Sequence, residues 1–386
     1  MQTKNCQNCK TDFTILPEDF EFYTKMKVPA PTWCPQCRMM RRATFRNIRS
    51  LYKRTCASCD KNIITMYHSD DPALVYCLEC FHGDGWDPMD YGMDIDWSRP
   101  FLEQWRELFQ KTPRFPLWQI SPLVKSEYTN YSVDNKNCYL CYSITGCEDI
   151  RYSENIDKSI NCLDNLYASE CEGCYENIDS VKNYNSSFVI QANSCMDSQF
   201  LFDCVNCQNC FMSTNLRNGQ YVFRGQQLNK EEYKTRISEI DFGSYNTISE
   251  LHREFKELME SSIHKYADII GCTKTDGNHI LNSKNIHNSF GAYACEDIKN
   301  AMRVLTGSKD CHDVYGVAAG ELIYDSVAVS YNTYNCKFSF LCNTSVSNVE
   351  YSTFIISSSD CFGCVSLKKK QYCILNKQYT KEVYLE

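Results

Sequence analysis

Lys136-Asn-Cys-Tyr-Leu-Cys141, Glu148-Asp-Ile-Arg-Tyr-Ser153, Glu172-Gly-Cys-Tyr-Glu-Asn177 and Gln208-Asn-Cys-Phe-Met-Ser213 are variants of one short unit. The unit returns as Lys284-Asn-Ile-His-Asn-Ser289, Glu296-Asp-Ile-Lys-Asn-Ala301, Lys309-Asp-Cys-His-Asp-Val314, Glu321-Leu-Ile-Tyr-Asp-Ser326, Tyr334-Asn-Cys-Lys-Phe-Ser339 and Ser347-Asn-Val-Glu-Tyr-Ser352. Its period is about 12 to 13 residues. Asn or Asp usually precedes a Cys, Ile or Val anchor. A small residue often follows three positions on, and an aliphatic residue or Cys six on. Short segments punctuated by Asn, Asp, Ser and Gly, without helical periodicity, read as strands and turns. Rungs this short, stacked on a fixed inward position, predict a parallel β-solenoid. The anchors Cys138, Ile150, Cys174, Ile298, Cys311, Ile323 and Cys336 are expected to point inward.

A longer duplication runs through the repeats. Cys210 to Gln220-Tyr matches Cys361 to Gln371-Tyr, and Asn229-Lys-Glu-Glu-Tyr233 matches Thr380-Lys-Glu-Val-Tyr384, each pair 151 residues apart. Asn229 and Glu232 have capping-box spacing, so a helix is expected where the first solenoid stops. A second helix is expected over about Ser249–Gly271, with Leu251, Phe255, Leu258 and Tyr266 on one side. The solenoids therefore span 120–225 and 272–375, with a helical pair at 226–271 and the first turn of another helix at 376–386.

The first ninety residues obey a different rule. Cys6-x-x-Cys9 is followed by Cys34-Pro-x-Cys37, and Cys56-x-x-Cys59 by Cys77-x-x-Cys80. Each CxxC turn sets two thiolates on one side of a tight knuckle, and two knuckles complete a tetrahedron. Adjacent CxxC cysteines are poor candidates for relaxed structural disulfides. Two structural Zn2+ ions are therefore expected, in modules at 1–54 and 55–90. Four cysteines close the coordination shell, which argues against a catalytic metal. His68 and His82 lie nearby as ordinary surface residues. An acidic linker and amphipathic helix fill 91–119. Asp87, Asp90, Asp94 and Asp96 lack the glycine and terminal glutamate of a calcium loop. Ser98 is the expected helix cap, and Phe101, Leu102, Trp105, Leu108 and Phe109 the apolar stripe.

The remaining cysteines fall in the repeats. Cys204-x-x-Cys207-x-x-Cys210 has a spacing seen in iron–sulfur ligation. Its duplicate reads Ile355, Ser358 and Cys361, and such exchange fits a stacked small-residue core better. His279, His287 and His312 show no ligand spacing and read as rung or surface residues.

The stretches Cys6-x-x-Cys9-x-x-x-Phe13, Glu18-Asp-Phe-Glu-Phe-Tyr23 and Pro31-x-x-Cys34-Pro-x-Cys37-Arg38-x-x-Arg41 resemble the small zinc-ribbon domain family of treble-clef type. This covers about residues 1–45. The whole chain resembles cysteine-rich zinc-ribbon proteins of candidate-phylum bacteria, through Phe45 to Cys56, Trp86-Asp-Pro-Met-Asp-Tyr-Gly92 and Asn376-Lys-Gln-Tyr-Thr-Lys381. The resemblance implies zinc binding and no activity. The expected fold is mainly β and multidomain: two small four-cysteine zinc-ribbon or treble-clef modules, then two tandem parallel β-solenoids separated by a helical pair.

Charge is unevenly spread. Net charge is −8, yet no acid occurs between Glu21 and Asp60, an interval carrying Lys25, Lys27, Arg38, Arg41, Arg42, Arg46, Arg49, Lys53 and Arg54. Arg38 to Lys53 recur every three or four residues, which places them on one face of a helix. Like charges so clustered call for a neutralising partner. Nucleic acid, RNA before DNA, or a ribonucleoprotein is the first reading. An acidic surface within the chain or on another protein is the second. No nucleophile–base motif, phosphate loop or dinucleotide fingerprint is present, so a non-enzymatic zinc protein is expected, with the solenoids as scaffold for a protein partner. The alternative is a carbohydrate-binding or carbohydrate-cleaving solenoid, favoured by a tyrosine-lined groove with close carboxylates. With no long apolar run and no apolar leader at Met1, neither membrane nor secretion is expected, and the cytoplasm is the simplest location. Reduced, metal-binding thiols fit that setting better than a secreted disulfide framework, although Asn130, Asn185 and Asn343 begin sequons.

Overall fold

The computed structural model describes residues 1–120, 123–287, 289–296, 299–305, 312–315, 320–321, 324–325, 327 and 333–386. Most of the chain is β-solenoid. From Gln119 to Phe223, short parallel strands stack with partners twelve residues apart, as in Thr129↔Cys141, Tyr142↔Glu154 and Gln208↔Gln220. Within each rung the operative period is three. Cys138, Cys141, Ile144, Cys147, Ile150 and Ser153 are all buried. The residue before each of them, Asn137, Leu140, Ser143, Gly146, Asp149 and Tyr152, has φ of 50° to 62°. A twelve-residue rung is therefore four three-residue sides, each turning a left-handed corner just before its inward residue.

That geometry explains the preference for Asn or Asp before the anchor. A left-handed conformation costs an ordinary L-residue about 1–2 kcal/mol, and Asn and Asp tolerate it best. Stacking offsets the strain. The corner amides of Asn137 and Asp149 donate to Val124 and Lys136 carbonyls one rung back, at 2.7 and 3.0 Å. Corner side chains also pair along the stack: Asn185 Nδ2 donates to Asp197 Oδ1 at 2.7 Å, and Asn206 Nδ2 to Asn218 Oδ1 at 2.6 Å.

The inward columns are narrow. One of them reads Ser126, Cys138, Ile150, Cys162, Cys174, Ser186, Ser198, Cys210 and Val222, all buried. Polar members bond to backbone, as buried polar groups must. Ser126 Oγ donates to Val124 O and accepts from Cys138 N, both at 3.0 Å. Asn135 accepts from Cys147 N at 2.9 Å and donates to Ile144 O at 3.1 Å. The thiols do likewise, Cys147 Sγ donating to Thr145 O at 3.3 Å. Cys204, Cys207 and Cys210 are such core residues. Among the described residues, only the two N-terminal sets gather three or more metal-ligand groups.

The second solenoid runs from Ile269 to Ile374 with a less regular register: Ile269↔Ile280, Gly277↔Ser289, Thr333↔Val346 and Ser359↔Gln371. The expected anchors Cys138, Ile150, Cys174 and Cys336 are buried, whereas Ile298, Cys311 and Ile323 lie outside the described residues.

The duplication is visible in three dimensions. Each solenoid ends in an antiparallel hairpin, Val222↔Gln227 in one and Cys373↔Gln378 in the other. A capped helix follows each hairpin. One is Lys230–Ser238, where Asn229 and Glu232 form the expected capping box; the other is Lys381–Leu385, where Thr380 accepts from Val383 N. The ring pairs Tyr221–Tyr233 and Tyr372–Tyr384 match at 5.9 and 5.8 Å. A stacked ladder also recurs: Phe188–Phe200 at 4.6 Å and Phe338–Tyr351 at 4.9 Å, both at 17°.

The first ladder is roofed by the helix Tyr245–Glu260, whose Phe255 lies 5.6 Å from Phe200. This helix was expected over Ser249–Gly271. It starts earlier because Ser244 caps it, and it stops earlier because Ile269 already pairs in a rung; Tyr266 is fully exposed. The second ladder is roofed by an N-terminal helix, Phe101–Lys111. Its Phe101 sits 5.5 Å from Tyr351 and 4.7 Å from Phe362. Leu108 of the expected stripe is buried but Leu102 is exposed, and Pro100, not Ser98, holds the cap position; Ser98 is bound to Asp96. Among the described residues no helix is long and apolar enough to cross a membrane.

Burial sets the chemistry of interior thiols such as Cys138, Cys141 and Cys147. It pushes Cys141 up to about 12 and Cys147 to about 11. Only thiolates alkylate readily. Native chain treated with iodoacetamide should therefore leave Cys138, Cys141, Cys147, Cys204 and Cys210 unmodified, with all five labelled in denaturant, as read by peptide mass spectrometry. Labelling of these positions before unfolding would mean that the columns face solvent.

Candidate metal centres and their arginine clasp

The N-terminal modules follow one plan. In the first, β1 (Gln2–Asn5) and β2 (Asp12–Ile15) form a hairpin, α1 (Pro17–Met26) follows, and α2 (Pro35–Ala43) closes the module. In the second, β3 (Tyr52–Thr55) and β4 (Asn62–Thr65) form the hairpin and α3 (Leu78–His82) closes it. Each hairpin tip is a CxxC knuckle whose chain reverses through a left-handed residue, Lys10 (φ 63°) or Asp60 (φ 59°). Each closing helix takes a cysteine as N-cap, Cys34 or Cys77, and carries another in its first turn, Cys37 or Cys80. The sets Cys6/Cys9/Cys34/Cys37 and Cys56/Cys59/Cys77/Cys80 each hold their sulfurs within 4.8 Å of one another. Four thiolates so gathered suit a metal ion.

Backbone amides prepare Cys6 and Cys56 for a cation. Cys34 N donates to Cys6 Sγ at 3.2 Å, and Cys77 N to Cys56 Sγ at 3.1 Å. Burial pushes Cys6 up, but amides of Cys34, Cys9 and Asn8 outweigh it and bring this thiol down to about 6. Cys56 is likewise brought down to about 7, burial being outweighed by amides of Cys77, Ser58 and Cys59. His68 and His82 are exposed and belong to neither set.

The basic segment is not one long helix. It is helical only to Ala43, loops through Ser50, and enters β3 at Tyr52. Its arginines do not form the single exposed face that their spacing predicts. Arg38 and Arg42 are buried, with 4% and 2% of their surface exposed, and pair with acids of the second solenoid. Arg38 bonds to Asp313; Arg42 bonds to Asp325 at 2.5 Å and lies 3.9 Å from Asp313. Arg41, half-exposed, also pairs with Asp325. Arg46 lies 4.0 Å over the Tyr131 ring, and Arg49 pairs with Glu154, both in the first solenoid. Arg54 donates to carbonyls of His68, Asp71 and Ala73. Lys53 is exposed on β3. The reason is electrostatic: two buried carboxylates supply what the like-charged helix lacks, and each would be costly to bury alone.

Asp313 and Asp325 extend into a larger buried cluster. Asp19 of α1 pairs with Lys299 and lies 3.6 Å from His312, whose other nitrogen is 3.1 Å from Asp313. Sequence reasoning missed these residues. Asp and Asn occur at corners throughout the repeats, so nothing distinguishes Asp325 from its neighbours until the fold is known.

The second module docks differently. Phe81 is fully buried, with Lys368 4.5 Å over its ring and Lys368 Nζ donating to Phe81 O at 2.7 Å. Asp87 and Asp94 pair with Lys370 and Lys377. Asn376 Nδ2 donates to Pro88 O at 3.0 Å, and a Cβ on Gly92 would lie 2.5 Å from the Asn376 carbonyl oxygen. Two of the quoted sequence stretches, Trp86–Gly92 and Asn376–Lys381, are therefore halves of one contact. In comparisons with known proteins, the chain matches no family model and no curated protein.

Removing one partner of a buried ion pair strands the other. Asp325→Asn should cost about 3–5 kcal/mol in denaturant unfolding, and Arg42→Met a similar amount, whereas combining them should cost less than their sum. Strict additivity would mean that the pair does not interact. Acid should act on the same cluster. Burial lowers His312 below the usual histidine value; Asp19, against the upward push of burial, is held well below the carboxylate range by His312 and Lys299. Both are depressed in the fold. Their contribution is complete above the unfolded values, about 6.5 and about 4, and is lost as pH falls further. Between pH ~6.5 and ~5, His312→Phe should flatten the decline in stability measured for the native chain; an unchanged slope would remove His312 as its cause.

Proposed function

We propose that this chain is a non-enzymatic scaffold in which two structural zinc ions, each in a treble-clef type zinc ribbon, fasten the head onto tandem β-solenoids. One observation carries the reading. The helix that presents Cys34 and Cys37 to the metal also presents Arg38 and Arg42 to Asp313 and Asp325. Folding of such a module depends on its metal, so metal occupancy and docking onto the second solenoid become one event. Four-sulfur shells leave no open position for substrate, which supports a structural role. The knuckle, hairpin and cysteine-capped helix support the treble-clef assignment. The described cysteines are free thiols, which supports a reducing, cytoplasmic setting and tetrathiolate zinc. The solenoids would offer their outer faces to a protein partner.

The polyanion reading is weakened by the same contacts. With Arg38 and Arg42 buried, the exposed cations of the acid-free interval are Lys25, Lys27, Arg49 and Lys53, and Arg49 already faces Glu154. RNA binding through the head would have to use this remnant.

Elemental analysis of chain purified under reducing conditions should find two zinc ions per molecule. Stripping them should raise hydrogen exchange first in the second-solenoid rungs that hold Asp313 and Asp325, and Cys37→Ser should do so without chelator. Cys80→Ser should instead loosen the last rungs around Lys368–Lys377. A metal-free chain with unchanged exchange in both regions would overturn the proposal. Tight, salt-steep RNA binding abolished by Arg49→Glu and Lys53→Glu would restore the polyanion reading.

A further inference from the structure

A cleft of about 730 Å³ opens between the two solenoids. One wall is Leu166, Tyr167, Ile178 and Asp179 of the first; the other is His279, Leu281, Phe290 and Tyr293 of the second. Arg46 and Ile48 of the head also line it. Its size is that of a small-ligand site, and its composition, an apolar floor with a few convergent polar groups, is what such sites have.

Two features define the ligand. The first is aromatic. Tyr167, Phe290 and Tyr293 leave 48%, 60% and 41% of their surface exposed and gather in one cleft, and it is contiguous exposed apolar surface that marks an interaction site. The second is a balanced polar rim. Glu154 is paired with Arg49 and Asp268 with Lys265 at 3.2 Å, while Asp179 stands within electrostatic reach of His279. Three carboxylates disfavour an anionic ligand, and Arg46, Arg49 and Lys265 offset the field that would draw a cationic one. What remains is stacking surface beside hydrogen-bond acceptors and an arginine donor.

We propose that this cleft binds a neutral oligosaccharide. The C–H faces of its rings lie on Tyr167, Phe290 and Tyr293. Its hydroxyls donate to the carboxylates of Glu154, Asp179 and Asp268, and accept from the Arg46 guanidinium. Aromatic planes offer large apolar contact at low entropic cost, and bidentate hydroxyl contacts to carboxylates give orientation. The stacking walls belong to the solenoids and only the Arg46 contact comes from the head, so the site does not require the zinc reading to hold.

The test is calorimetric titration of full-length, metal-replete chain with cellohexaose, xylohexaose and mannohexaose, beside oligogalacturonate and hexalysine as charged probes. At least one neutral hexasaccharide should bind with micromolar to low-millimolar affinity. Tyr167→Ala and Phe290→Ala should each weaken it about tenfold or more, whereas Tyr184→Ala, at an exposed tyrosine outside the cleft, should not. Both cleft residues are exposed, so the variants should retain native circular dichroism. Three outcomes would overturn the proposal: no binding of any neutral sugar in the millimolar range, binding indifferent to Tyr167→Ala and Phe290→Ala, or preference for either charged probe.

Discussion

The structure depends on the width of the solenoid interior. A rung of four three-residue sides admits one inward side chain per side, and the next rung sits directly on it. Large residues do not fit, and long polar ones cannot reach water. The interior therefore draws on Cys, Ser, Ala, Val, Ile and Asn, whose polar members reach backbone groups of the same or adjacent rungs. Cysteine is the frequent choice because it is small, apolar enough to stack, and able to donate weakly to a carbonyl two residues back. A high cysteine content here is thus two unrelated facts: clusters suited to a metal in the head and filler in the columns.

The same constraint explains why the head is needed. Such narrow columns bury little large apolar surface, so a solenoid gains its bulky contacts outside the tube. In the first solenoid Phe188, Phe200 and Phe211 climb the outer wall and are covered by a helix of the linking pair. In the second, Phe338, Tyr351 and Phe362 do the same and are covered from the N-terminal side by Phe101. Duplication preserved the ladder, the terminal hairpin and the tyrosine pair, but the roof comes from a different part of the chain. The head is accordingly integral to the second solenoid, held by an aromatic contact at one end and buried ion pairs at the other.

Buried ion pairs are seldom a net gain over apolar packing, because desolvation consumes most of the attraction. Their value lies in discrimination. Arg38 and Arg42 fit where Asp313 and Asp325 stand and are intolerable elsewhere in the interior, so they fix how the first metal module sits on the solenoid. The second module achieves the same with backbone proximity, Gly92 against the Asn376 carbonyl, and with Lys368 over Phe81. Local order around each four-cysteine set is thereby converted into long-range order between segments nearly three hundred residues apart.

The eight head cysteines were legible because coordination by two knuckles is a local matter of four residues each. The solenoid was legible because a periodic fold writes its period into the chain, although the period of three within each rung was masked by the variety of residues that a column accepts. The capping box at Asn229 was legible for the same local reason. What the arginines do was not. Their sequence records an excess of positive charge and the need for a counter-charge, but Coulomb attraction is indifferent to chain distance, and Asp313 or Asp325 looks like any other aspartate of the repeats. That Arg38 and Arg42 meet carboxylates of the same chain was decided only by the fold, which brings the acids beneath α2 and buries the contact.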